Sequence, residues 1–65
     1  MRQITLKAAR VNAGLTLEEV SEALNLSTYT IIKYERGESV PRLDVFSKLC
    51  SLYGVGITDI FMPYQ

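Results

Sequence analysis

Between Thr16 and Gly37 the chain reads TLEEVSEALNLSTYTIIKYERG, a run that constrains the local fold more than any other part of the sequence. Thr16 is a helix N-cap, since its hydroxyl can accept from an orphan backbone N–H of the first turn. Glu19, three residues on, can reach back to the Thr16 N–H and close a capping box. Val20, Ala23 and Leu24 then recur at helical spacing. Asn25-Leu26 breaks the pattern, and Asn tolerates the left-handed backbone that a bend requires. Ser27 caps a second helix, on which Ile31 and Tyr34 share a face, and Gly37 closes it at the position after the last helical residue. Two short helices, Leu17–Leu24 and Thr28–Arg36, joined by a tight elbow, follow from these residues alone.

Such a pair forms the helix-turn-helix unit, whose second helix can enter a DNA major groove. Arg10, Gly14-Leu15-Thr16, Glu19-Val20, Leu24, Leu26-Ser27, Ile31, Glu35, Gly37, Pro41 and Gly54-Val55 occur in an order and spacing that resemble the lambda-repressor-like, Cro/XRE-type domains. The resemblance runs from about Leu6 to Phe61. It implies sequence-specific recognition of double-stranded DNA by a transcriptional regulator of phage or bacterial type, binding as a homodimer. It also implies a partly buried ion pair between Arg10 and Glu35; on the residues alone, two solvated charges remain the alternative.

The rest of the chain fits one small all-α domain over 1–65, a compact bundle of five short helices. Arg2–Ala13 forms the first, with Leu6, Ala9, Arg10 and Ala13 on one stripe and Gly14 behind it. The fourth runs from Arg42 to Tyr53, with Leu43, Phe46, Leu49, Cys50 and Tyr53 as its apolar stripe and Gly54 as its stop. Thr58 caps a last turn, Asp59–Met62, that Pro63 ends, with Ile60 and Phe61 covering the bottom of the core. Val45 and Leu52 fall outside the fourth helix's stripe and, with Ile57, Met62 and Tyr64, would form an exposed apolar patch. The resemblance implies pairing of two chains through this end, so Val45, Leu52, Ile57 and Met62 are candidates for a dimer interface.

On the third helix the residues left outside the core stripe are Thr28, Tyr29, Ile32 and Lys33. Near a helix N-terminus this spacing makes a strip suited to a groove. Thr28 or Ile32 would contact thymine methyls, Lys33 a guanine or a phosphate, and Tyr29 a phosphate or sugar edge. The competing view is that Tyr29 and Ile32 are scattered surface apolars. The resemblance implies that the loop to the fourth helix lies against the DNA backbone, which makes Arg42, beside Pro41, the main phosphate or minor-groove candidate; a solvated charge is the alternative. Ser27, Arg36 and Ser39 are further ones.

Charge argues in both directions. Seven basic and seven acidic residues give a net charge of +0, where a nucleic-acid binder usually carries a basic surface. The distribution is uneven: Arg2, Lys7 and Arg10 precede the first acid, whereas Glu18, Glu19 and Glu22 crowd the second helix. Leu17 stands where many family members carry a phosphate-holding Gln. The alternative function is therefore a helix-turn-helix used as a protein-interaction module, antitoxin-like, with weak or no DNA binding. With 48% hydrophobic residues, disorder is not expected. With no His and a single Cys, neither a metal site nor an internal disulfide is expected, nor is a cofactor. No nucleophile–base set argues for an enzyme, and nothing points to a small-molecule substrate. No apolar run suits a bilayer and no leader pattern is evident, so a cytoplasmic protein is expected.

Overall fold

In a computed structural model, which describes residues 3–61, the order of elements is β1 (Ile4–Thr5), α1 (Leu6–Asn12), α2 (Leu17–Leu24), α3 (Thr28–Arg36), α4 (Leu43–Tyr53), a short 3-10 turn (Ile57–Asp59) and β2 (Ile60–Phe61). The helix-turn-helix is built as its caps dictate. Thr16 Oγ1 accepts from the Glu19 N–H at 3.1 Å, and Glu19 Oε1 accepts from the Thr16 N–H at 2.8 Å. Asn25 takes the left-handed conformation at φ 56°, the one non-glycine residue among those described to do so. The Leu26 N–H then donates to the Ser21 carbonyl, and the Ser21 hydroxyl donates to the Leu26 carbonyl. Ser21, small enough for close helix packing, thus ties both sides of the elbow. Ser27 Oγ accepts from the Thr30 N–H at 3.1 Å, and Gly37 ends α3 at φ 75°.

The five-helix expectation is corrected at both ends. The first helix begins at Leu6, not Arg2, because Thr5 Oγ1 caps it by accepting from the Ala8 N–H at 3.0 Å. Ile4 and Thr5 are extended instead: β1 pairs in parallel with β2, Ile4 opposite Ile60 and Thr5 opposite Phe61. Gln3 Nε2 extends the seam by donating to the Thr58 carbonyl at 3.1 Å. The expected fifth helix is replaced by the 3-10 turn, in which Asp59 Oδ2 accepts from the Gly56 N–H at 2.9 Å. Ladder pairing with β1 then draws Ile60 and Phe61 into extended backbone. Ile60 is buried as expected, whereas Phe61 is exposed. Met62, Pro63 and Tyr64 lie outside the described residues.

Leu6, Ala9, Val20, Ile31, Leu49, Cys50, Tyr53 and Ile60 form the core. Every helix contributes to it, so α3 is held from behind by Ile31 with Tyr34 packed alongside. The α4 stripe is rotated from its expected phase. Leu43 is 72% exposed, whereas Val45 and Leu52 pack against the core. Leu43 is the first residue of α4. The stripe 45, 49, 52 has the same helical period as 46, 50, 53, and burial is centred between the two. Val45 and Leu52 therefore do not form the exposed patch expected of them.

Candidate nucleic-acid interface

The candidate interface is the outer side of α3 with the loop that leads to α4. Its orientation depends on an ion pair behind it. Arg10 Nε donates to Glu35 Oε2 at 2.6 Å and Arg10 Nη2 to Glu35 Oε1 at 3.4 Å, a two-pronged contact. Arg10 Nη1 also donates to the Leu15 carbonyl at 3.0 Å. The two side chains are only 11% and 8% exposed. One arginine thus joins α1, the turn before α2, and the C-terminal half of α3. The Glu35 hydrogen bond, reinforced by its charge, raises the Arg10 pKa against the opposing cost of burial, so the guanidinium stays charged.

Tyr53 of α4 lies within the field of this pair. Burial first, and then the negative charge of Glu35, push its phenol up to about 12. Its hydroxyl is buried and has no hydrogen-bond partner among the described residues. Burial also raises the Cys50 thiol, which suits a small apolar filler rather than a nucleophile. A phenol whose folded pKa lies above its unfolded value stabilises the fold fully below pH ~10 and ceases to do so as pH rises through about 12. Tyr53 alone is expected to cost roughly 1 kcal/mol of stability by pH 11 and about 2 kcal/mol by pH 12. Urea midpoints measured from pH 9 upward on wild type and Tyr53→Phe check this. The variant should lose less, and parallel losses would reject the assignment.

On α3, Tyr29 is 67% exposed, while Thr28, Ile32 and Lys33 are half-buried without joining the core. Ser27 heads the strip, with its hydroxyl committed to the cap. Lys33 Nζ lies 5.2 Å from the centroid of the Tyr29 ring. Arg36 closes the helix with Nε 3.6 Å from Glu38 Oε2. Beyond the loop, Ser39 is half-buried and Arg42 heads α4, its side chain 85% exposed and its Nε 3.5 Å from Asp44 Oδ1. In the chain, Arg42 is separated from α3 by the Gly37–Pro41 loop. Sequence reasoning placed each of these residues on the surface but missed their partners. The i, i+4 spacing of Tyr29 and Lys33, and the acid two residues after each arginine, were the available signals. Leu17 is half-buried against the core and offers no side chain to a phosphate.

Among the described residues no cluster of His, Cys, Asp and Glu is arranged to hold a metal, and no helix is long and apolar enough to cross a membrane.

A helix-turn-helix family model matches residues 6–60. The chain is 39% identical over 57 residues to an uncharacterized HTH-type transcriptional regulator of Methanocaldococcus jannaschii, an alignment covering 88% of this chain and 86% of that one. It is 33% identical over 55 residues to the cryptic phage CTXphi transcriptional repressor RstR of Vibrio cholerae, covering 85% of this chain and 50% of the repressor. It is 43% identical over 49 residues to a putative HTH-type transcriptional regulatory protein of Sulfurisphaera tokodaii, covering 75% of this chain but 17% of that one. The chain thus spans half or less of two of these three relatives. No solved structure matches it significantly. The family match extends from the first core residue of α1 to the last core residue of β2, and the chain belongs to the Cro/C1-type helix-turn-helix family.

Proposed function

We propose that this domain binds double-stranded DNA sequence-specifically through α3 and regulates transcription from the site it occupies, as a repressor acting on an operator of two half-sites. The observation that carries the reading is the division of α3. Ile31 and Glu35 fix it from behind, which leaves Thr28, Tyr29, Ile32 and Lys33 outside the core on a rigid rod. Thr28 and Ile32 suit thymine methyls, and Lys33 suits the acceptor edge of guanine. Tyr29, Ser27, Arg36, Ser39 and Arg42 would lie near sugar and phosphate, where contacts set register rather than sequence. The relatives' names, a phage repressor among them, point the same way.

Two chains per operator would place two copies of α3 about one DNA turn apart. Since Val45 and Leu52 serve their own core, the proposed pairing surface narrows to exposed Ile57 and to Met62. The second reading, a protein-interaction module, is favoured by two observations: Arg36 and Arg42 both face carboxylates, and Glu18, Glu19 and Glu22 are exposed on α2. A fluorescence-polarisation titration against random-sequence duplex, at low and moderate salt, separates the two. Salt-sensitive binding is expected, with sedimentation showing two chains per operator-length duplex. No binding at low salt would reject the DNA reading in favour of a protein partner, and one chain per duplex would reject pairing.

A further inference from the structure

Lys33 is the one cation between Ser27 and Arg36, and it differs from the two arginines beside it. Arg36 and Arg42 each face a carboxylate, whereas among the described residues Lys33 makes no ion pair. What it meets is the Tyr29 ring, one helical turn earlier, at 5.2 Å from Nζ to centroid. An ammonium within about 6 Å of a tyrosine face is attracted by the ring's quadrupole. Helical side chains also lean toward the N-terminus of their helix. The contact therefore draws the Lys33 charge back along the strip toward Thr28. The ring itself, 67% exposed, contributes nothing to the core.

We propose that Tyr29 is a positioning residue for base readout: its ring holds the Lys33 ammonium at the N-terminal end of α3, where it donates to the O6/N7 edge of one guanine. The proposal rests on the reading of α3 as the groove-facing helix. A lysine has a flexible stem and three donors. The ring faces the ammonium from one side at 5.2 Å from Nζ to centroid, which leaves its N–H donors able to meet an acceptor on another side. A free lysine would spread its charge over phosphates as readily as over a base. A parked one is directed to a single acceptor edge, the major-groove feature that distinguishes guanine.

The test uses a duplex selected by the wild-type protein from a randomised pool, with each guanine then replaced singly by 7-deazaguanine, which lacks the N7 acceptor. One guanine per half-site is expected to be sensitive. Lys33→Met should abolish that sensitivity, Tyr29→Phe should keep it, and Tyr29→Leu should lose most of it while weakening the parent complex about 2- to 5-fold. In the free protein, the Lys33 ε-methylene protons should be shifted upfield by the ring in wild type and Tyr29→Phe, and return to ordinary positions in Tyr29→Leu. If no duplex is enriched, or Lys33→Met binds like wild type, the groove-facing reading fails and this proposal with it. If Lys33→Met loses guanine sensitivity while Tyr29→Leu retains it, only the positioning role is overturned. Equal behaviour of Tyr29→Phe and Tyr29→Leu would also overturn it, since the ring would then not be the agent. A wild type insensitive at every guanine would do so as well.

Discussion

Arg10→Met is expected to lower the melting temperature by more than about 10 °C, whereas Lys7→Met, on the exposed side of the same helix, should leave it nearly unchanged. The asymmetry follows from where the charges sit. The Arg10 and Glu35 side chains are only 11% and 8% exposed, so removing the guanidinium strands a carboxylate away from water. Breaking one partner of a buried pair costs about 3–5 kcal/mol. In a domain of this size each kcal/mol moves the midpoint by roughly 4–8 °C. Arg10 also donates to the Leu15 carbonyl, so its loss leaves two acceptors unpaired. Replacing both charges, Arg10→Met with Glu35→Leu, removes the stranded carboxylate but not the orphaned Leu15 carbonyl, so recovery should be partial. Thermal denaturation of the four proteins decides the matter. Equal midpoints for the Arg10 and Lys7 variants would show that the pair contributes no more than an exposed one. The consequence for function is positional, because the pair clamps the end of α3 that carries Glu35 to α1, and α3 carries the reading strip.

That pair, and the elbow in front of it, were legible in the sequence because their signals are local or carried by family spacing. Thr16 with Glu19, Ser27 and Gly37 each specify one backbone event within a few residues, and α2 and α3 begin and end as read. The two ends of the chain were misread for the opposite reason. Ile4 and Ile60 become strand residues only by pairing with each other across the whole sequence, and neither segment carries that information alone. Thr5 caps α1 through its hydroxyl alone, without the glutamate that closes the box at Thr16, and it sits inside a run that reads as continuous helix. The rotation of α4 has another origin. With apolar residues on two adjacent stripes, periodicity gives the helix but not which stripe the core will take, and Leu43 and Val45 exchanged places as a result. In the candidate site the exposed positions were legible and their pairings were not, because an exposed side chain's partner depends on rotamer choice.

Those pairings set the expected salt response of binding. With Lys33 assigned to a base, Arg36 and Arg42 are the basic side chains proposed to meet phosphates, and each neutralised phosphate contributes about −0.9 to the slope of log affinity against log salt. One subunit should therefore show a slope near −2, or about 12-fold weaker binding between roughly 50 and 200 mM salt, and a pair of subunits on the order of 10²-fold. Arg42→Glu should flatten the slope by about 1 per subunit and weaken binding to all sequences alike. Glu38→Gln and Asp44→Asn should act in the opposite direction. Their carboxylates lie 3.6 Å from Arg36 and 3.5 Å from Arg42, both on exposed side chains. An exposed pair is worth no more than ~1 kcal/mol, so it yields to a phosphate, yet the displaced acid stays close enough to repel it. Removing both acids should tighten binding several-fold at low salt, and the gain should shrink as salt rises because screening acts on the same repulsion. Affinities of these variants on one duplex across a salt series give the result. If neutralising Glu38 and Asp44 leaves low-salt affinity unchanged while Arg42→Glu still weakens it, the two acids do not restrain their arginines. If Arg42→Glu has no effect either, the loop before α4 does not lie against the DNA backbone.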